Sequence, residues 1–292
     1  MSNSPNYILK VLKWIHAKEH FQRLFKNPPR ATGALNPRKI KRTLNPKLWA
    51  IDNTELLTIS GNPTNQKHII FLPGGAYLLE PTSFHRQFAV KLARNLQLSV
   101  TIINYPKSPE YTYRTTHDLI RKAYNQLVER FPDQEFCLLG DSAGGGLALA
   151  FLQSLRDQKV TPLPVKSVLI SPWLDISLRH PQIPTYISRD LILSIEGLEY
   201  AAALYSGGED MQNPLLSPLY GNLNGLGEIL LIAGTEEIFF PDCQELIKKI
   251  KDTRGTQIEW EMGENLIHAW PIFPFPESKQ AREQIANFLF RD

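Results

Sequence analysis

The sequence predicts an α/β fold, in which a mainly parallel central sheet is flanked by helices and a helical cap lies over one end. Three observations carry this reading. Short apolar, partly β-branched runs alternate with longer amphipathic ones along most of the 292 residues. Two segments break that alternation without supplying a core strand. One apolar run also passes through a Gly/Ser/Ala turn directly into a second apolar stretch of helical length.

The chain opens with polar MSNSPNY, followed by ILKVLKWIHAKEHFQRLF, which charge interrupts every few residues. This is neither a secretory apolar region nor a membrane span. It reads as an amphipathic helix with Ile8, Leu12 and Ile15 on one face, leading into a Pro-rich basic connector, NPPRATGALNPRKIKR. Residues 1–50 hold eleven Lys/Arg against one acidic residue, Glu19, about +10 in a chain whose net charge is +3, so the remainder carries about −7. A solvated basic face accounts for this, because no aromatic-rich nucleic-acid motif accompanies it. Neither a nucleic-acid partner nor stable membrane insertion is expected.

The strand-like runs then follow in order: HIIFL (68–72), LSVTIINY (98–105), EFCLLG (135–140), VKSVLIS (165–171), EILLIAG (228–234) and QIEWEM (257–262). Helical periodicity fills most of the gaps, as in FHRQFAVKLARNL and THDLIRKAYNQLVERF. Near-continuous apolar strands separated by helices imply a sheet covered on both faces. Residues 173–218 contain two helical stretches and several prolines but no core strand. That segment and residues 1–50 are expected to pack together as a cap on a single domain spanning 1–292. Hydrophobic residues at 42% and charged residues at 21% fit a folded globular chain. The two cysteines, Cys137 and Cys243, have no spacing suited to a metal site or disulfide framework, so a reduced, cytoplasmic chain with no metal is expected.

The chemistry concentrates at FCLLGDSAGGGLALAFL, where Gly140-Asp141-Ser142-Ala143-Gly144 joins a strand to a helix. A serine raised on a sharp strand-to-helix turn needs small neighbours, and the helix N-terminus points free N–H groups toward it. Attack by such a serine creates an oxyanion that preorganised donors must meet. The Ala143 N–H is one. The others are expected from Pro73-Gly74-Gly75-Ala76, the loop that ends the 68–72 run, with Gly74 shaping that loop. The partners of such a serine follow in the order Ser, acid, His. Only His180 and His268 come after Ser142, and His180 falls inside the expected cap, which leaves His268 as the base. The acid should follow EILLIAG, where Glu236 and Glu237 compete and Asp242 is a third candidate; periodicity does not separate them.

From about residue 60 onward these motifs resemble the hormone-sensitive-lipase-like esterases of the α/β-hydrolase superfamily. PGGAY is similar to that family's HGGG loop, NYPKSPEYTY to its Y-x-L-A-P-E segment, and GDSAGG to its elbow; SPWLDIS, NPLLSPLYGNL and HAWPIF look like further landmarks. The resemblance implies a carboxylesterase acting on short- to medium-chain acyl esters through a serine acyl-enzyme, with no organic cofactor and a homodimer as an available state. It also favours Glu237 over Glu236, from the spacing to Ile238 and Asp242. Pro73 departs from the family, which usually has histidine there and so a side chain to brace the loop. Two other readings stand beside this one. A non-catalytic ligand-binding relative is opposed by His268, which such relatives have lost. A lactone or acylaminoacyl hydrolase would share the triad, and the peptidases of that kind carry a propeller-sized N-terminal domain.

Overall fold

The computed structural model describes residues 16–30, 33, 35–52, 54–61 and 66–291, so the expected apolar face of Ile8, Leu12 and Ile15 lies outside the described residues. In chain order the elements are α1 (Ala17–Lys26), β1 (Lys47–Ile51), β2 (Thr54–Ser60), β3 (Lys67–Leu72), α2 (Ser83–Leu96), β4 (Ser99–Asn104), α3 (Tyr113–Arg130), β5 (Glu135–Asp141) and α4 (Ala143–Asp157). There follow β6 (Lys166–Ile170), α5 (Ile183–Tyr186), α6 (Ile195–Ser206), β7 (Gly227–Gly234), α7 (Phe240–Ile250), β8 (Thr256–Gly263) and α8 (Glu277–Phe290).

One eight-stranded sheet runs β1-β2-β4-β3-β5-β6-β7-β8, with β1 and β2 antiparallel at one edge and the other six strands parallel. The six apolar runs read from the sequence are these six parallel strands; burial on both faces explains why the inner ones lack alternation, whereas β8, at the sheet edge, is partly exposed and its run QIEWEM alternates. The β1–β2 hairpin is an addition to the expected fold, and residues 47–50, assigned above to the cap segment, lie in β1; the cap boundary is corrected accordingly. β1 is half-exposed and mixed in polarity, so it gave no apolar signal.

The order of the strands decides where a site can form. From β3 the chain steps to β4 on one side, then returns to place β5 on the other. The carboxyl ends of β3 and β5 therefore border a crevice, the place where open parallel sheets bind ligands.

The gap segment 173–218 forms α5, α6 and connecting turns, again with no strand. Its α6 packs on α1, where Phe25 is buried against Gly197. Lys26 Nζ lies 2.7 Å from Glu196 Oε1 at the same contact, but that pair is largely solvent-exposed and contributes little beside the apolar packing.

Candidate active site

Ser142 caps the N-terminus of α4 with φ 55° and ψ −126°, a conformation that an L-residue adopts only when the surroundings enforce it. Its N–H donates to the Ile170 carbonyl at 2.8 Å, and its carbonyl accepts from Trp173 N–H at 2.9 Å. The flanking glycines are required sterically. A Cβ on Gly140 would stand 2.1 Å from the Gly144 carbonyl oxygen, and one on Gly144 would stand 2.0 Å from that of Leu72.

Two loops deliver the partners. The turn after β7 carries Glu237, fully buried, whose Oε1 accepts from Gly234 N–H at 3.2 Å. The loop after β8 carries His268, also buried, and is tied to the sheet by the Ala269 N–H donating to Ser171 Oγ at 3.0 Å. His268 Nδ1 is 2.6 Å from Glu237 Oε2, and His268 Nε2 is 2.9 Å from Ser142 Oγ. Burial alone would lower the imidazole pKa. The hydrogen bond and charge of Glu237, with the charges of Asp190 and Asp141, outweigh it and hold the ring above its ordinary 6.5.

The other acid candidates lie elsewhere. Glu236 points outward and pairs with Arg189, with Oε2 3.0 Å from Nε. Asp242 is buried in α7 and makes no hydrogen bond from either carboxylate oxygen. His180 sits in the segment between β6 and α5, with its Nδ1 accepting from Gln182 N–H at 3.2 Å.

The Pro73–Ala76 loop lies directly against the elbow. The Gly74 N–H is turned away from the crevice and donates to Asp141 Oδ1 at 3.0 Å, so Gly74 contributes shape and no donor. No described residue accepts from the N–H groups of Gly75, Ala76 or Ala143, and all three surround Ser142 at the rim of one cavity or the start of α4. Three sequence-remote groups also converge here that the linear reading missed: His85, Tyr105 and Asp190. Asp190 reaches from the 173–218 segment to accept from Ile238 N–H at 2.9 Å, beside Glu237. Only the NYPKSPEYTY landmark signalled any of them.

The cavity over Ser142 and His268 measures about 200 Å³. Its walls are apolar: Phe21 and Phe25 from α1, Ile192 and Leu193 from the 173–218 segment, Phe84 from α2 and Phe273 from the loop after His268. Among the described residues, no group of three His, Cys, Asp or Glu side chains is placed to hold a metal ion, and no helix is long and apolar enough to cross a membrane.

A serine bonded to an imidazole that is itself bonded to a buried carboxylate, beside unpaired N–H groups and an apolar cavity, can perform acyl transfer. Comparison with known proteins agrees with that chemistry. A family model described as the alpha/beta hydrolase fold matches residues 69–272. An acetyl-hydrolase from Streptomyces hygroscopicus is 34% identical over 76% of this chain and 74% of its own length. An esterase from Acinetobacter venetianus is 31% identical over 75% and 73%. Among solved structures, a putative esterase from Staphylococcus aureus superimposes with a TM-score of 0.83 at 28% identity, covering 93% of this chain and 91% of that one. An esterase of the bacterial hormone-sensitive lipase family gives 0.81 at 28%, covering 99% and 98%. The chain belongs to the α/β-hydrolase family, among its hormone-sensitive-lipase-like esterases. It is a serine carboxylic ester hydrolase.

Proposed function

We propose that this carboxylesterase hydrolyses short- to medium-chain acyl esters with Ser142 as nucleophile, His268 as general base and then general acid, and Glu237 as the group that orients the imidazole. In acylation His268 Nε2 takes the Ser142 proton as Oγ attacks the carbonyl carbon, then returns it to the departing alcohol. Water enters in the second half by the same route, and the acid leaves. The N–H groups of Gly75, Ala76 and Ala143 hold the oxyanion in both halves, with Gly74 fixing the loop. The observation that carries the reading is the unbroken Glu237–His268–Ser142 hydrogen-bond chain, at 2.6 and 2.9 Å, ending in the apolar cavity.

Three further points support the substrate class. The cavity is small and apolar. A relative 34% identical to this chain is named an acetyl-hydrolase. The cap, formed by α1 with the 173–218 segment, supplies Phe21, Phe25, Ile192 and Leu193 and so limits the acyl chain. A homodimer and a cytoplasmic setting belong to the same reading: β8 is an open sheet edge with Trp260 half-exposed, and both cysteines are buried and unpaired.

The test is a p-nitrophenyl ester series from acetate to dodecanoate. Each methylene that fits should raise kcat/KM by about fourfold, from about 0.8 kcal/mol per buried CH₂, until the cavity is full and the trend reverses. Phe25→Ala should move that reversal to longer chains. Ser142→Ala retaining wild-type turnover, or the absence of a fluorophosphonate adduct at Ser142, would overturn the proposed mechanism, and the latter would favour a ligand-binding protein.

A further inference from the structure

Pro73 stands where the family resemblance leads one to expect a histidine, so the oxyanion loop has no side chain of its own at that position to brace it. The bracing comes from two distant elements, and both act on one peptide group. The Tyr105 hydroxyl, at the end of β4, donates to the Pro73 carbonyl at 2.7 Å. The N–H of the same peptide group, on Gly74, donates to Asp141 Oδ1 at 3.0 Å. We infer that Tyr105 and Asp141 are positioning residues that clamp the Pro73–Gly74 peptide at both ends and thereby preorganise the oxyanion donors of Gly75 and Ala76. The inference rests on the proposed role of that loop.

The geometry gives the clamp its sense. A peptide plane turns over by opposite rotations about the bonds on either side of it, here ψ of Pro73 and φ of Gly74, so holding that plane fixes the Gly74 backbone from which the Gly75 and Ala76 N–H groups are carried. Overturning Pro73–Gly74 would aim its carbonyl at the Asp141 carboxylate and its N–H at the Tyr105 hydroxyl. Both buried bonds would be lost, and an oxygen would face an oxygen. Each clamp is held in turn. Tyr105 is buried and its ring lies under Lys107, whose Nζ is 3.6 Å from the ring centroid and donates to Asn104 Oδ1 at 3.1 Å. Burial, with the charges of Asp141 and Glu80, keeps the phenol well above its ordinary pKa of 10, so it remains a donor. Asp141 is held by His85. Thr82 N–H donates to His85 Nδ1 at 2.9 Å, which puts the proton of the neutral ring on Nε2, 3.3 Å from Asp141 Oδ2. There is no space for a side chain to do this work from Gly74 itself, since a Cβ there would stand 2.5 Å from Asp141 Oδ2 and 2.8 Å from Ser142 Cβ.

Because the oxyanion exists only in the tetrahedral states, loosening the loop should reduce kcat and leave ground-state binding alone. Tyr105→Phe keeps the ring and removes the donor. With p-nitrophenyl butyrate it should lower kcat by about tenfold, the effect of one hydrogen bond on a preorganised site, with KM within about twofold and the melting temperature within a few degrees. The inhibition constant of a trifluoromethyl ketone should rise by the same factor as kcat falls. Asp141→Ala should do likewise, while Asp141→Asn, which keeps an oxygen facing Gly74 but turns its NH₂ toward the Nε2–H of His85, should recover only part of the loss. Wild-type kcat in both Tyr105→Phe and Asp141→Ala, or a loss confined to KM, would each overturn the clamp while leaving the esterase reading intact. A wild-type chain without turnover on any ester would overturn both.

Discussion

Replacing Glu237 by Gln tests the centre of the proposed mechanism, because the surrounding atoms dictate how the new amide must sit. Gln has the same size and shape, so packing is kept. The Gly234 N–H, 3.2 Å from Glu237 Oε1, still needs an acceptor, which fixes the amide oxygen on that side. The amide NH₂ then faces His268 Nδ1, where Oε2 stands at 2.6 Å in the wild type. Nδ1 is forced to accept, the imidazole proton moves to Nε2, and Nε2 can no longer take a proton from Ser142. An inverted tautomer of this kind costs a serine hydrolase on the order of 10⁴ in kcat, about 5.5 kcal/mol. The pH profile should move as well. His268 works as the neutral base, so activity rises as pH passes through its pKa, which lies above 6.5 in the wild type. Without the Glu237 charge, burial dominates and the pKa falls, so the residual activity of Glu237→Gln should have its acid limb at lower pH than the wild type. Steady-state hydrolysis of p-nitrophenyl acetate between pH 5 and 9 measures both effects. A loss of less than tenfold, or an acid limb that stays in place or moves upward, would refute the reasoning.

Glu236→Gln should leave kcat/KM within twofold, since Glu236 pairs outward with Arg189; an activity collapse there would exchange the two glutamates. Asp242 should govern stability at neutral and alkaline pH. Burial first, then the charges of Asp175 and Glu245, opposed by Lys249, push its carboxyl from 3.8 up to about 8. The folded state therefore holds a proton that the unfolded chain releases, and the resulting stability is present below pH 3.8 and lost as pH rises through about 8. Urea unfolding of Asp242→Asn should show little difference from the wild type near pH 4 and a gain of several kcal/mol by pH 8; a difference independent of pH would count against this.

The fold was legible in the sequence because parallel strands buried on both faces announce themselves as apolar runs, and the edge strand β8 as an alternating one; all six were found at their observed places. The β1–β2 hairpin was not legible. Its outer strand faces solvent and carries a mixed pattern that a connector could equally show. Ser142 and His268 were readable from an elbow motif and from chain order, and the structure brings them together with Glu237. Glu236 and Glu237 were different in kind. They are adjacent in sequence and identical in chemistry, and the choice between them is a matter of which carboxylate the turn after β7 directs inward.

The sequence by itself determined the fold class and the elbow, because both show in residues close together along the chain, and the order Ser142, acid, His268 followed from that fold class. The tertiary structure alone decided what holds the Pro73–Ala76 loop. Pro73 meets Tyr105 from 32 residues away, Gly74 meets Asp141 from 67 residues away, and His85 joins them across the end of the sheet. Hydrogen bonds between groups so far apart in sequence leave no local pattern, since nothing but the strand order β4-β3-β5 places them side by side.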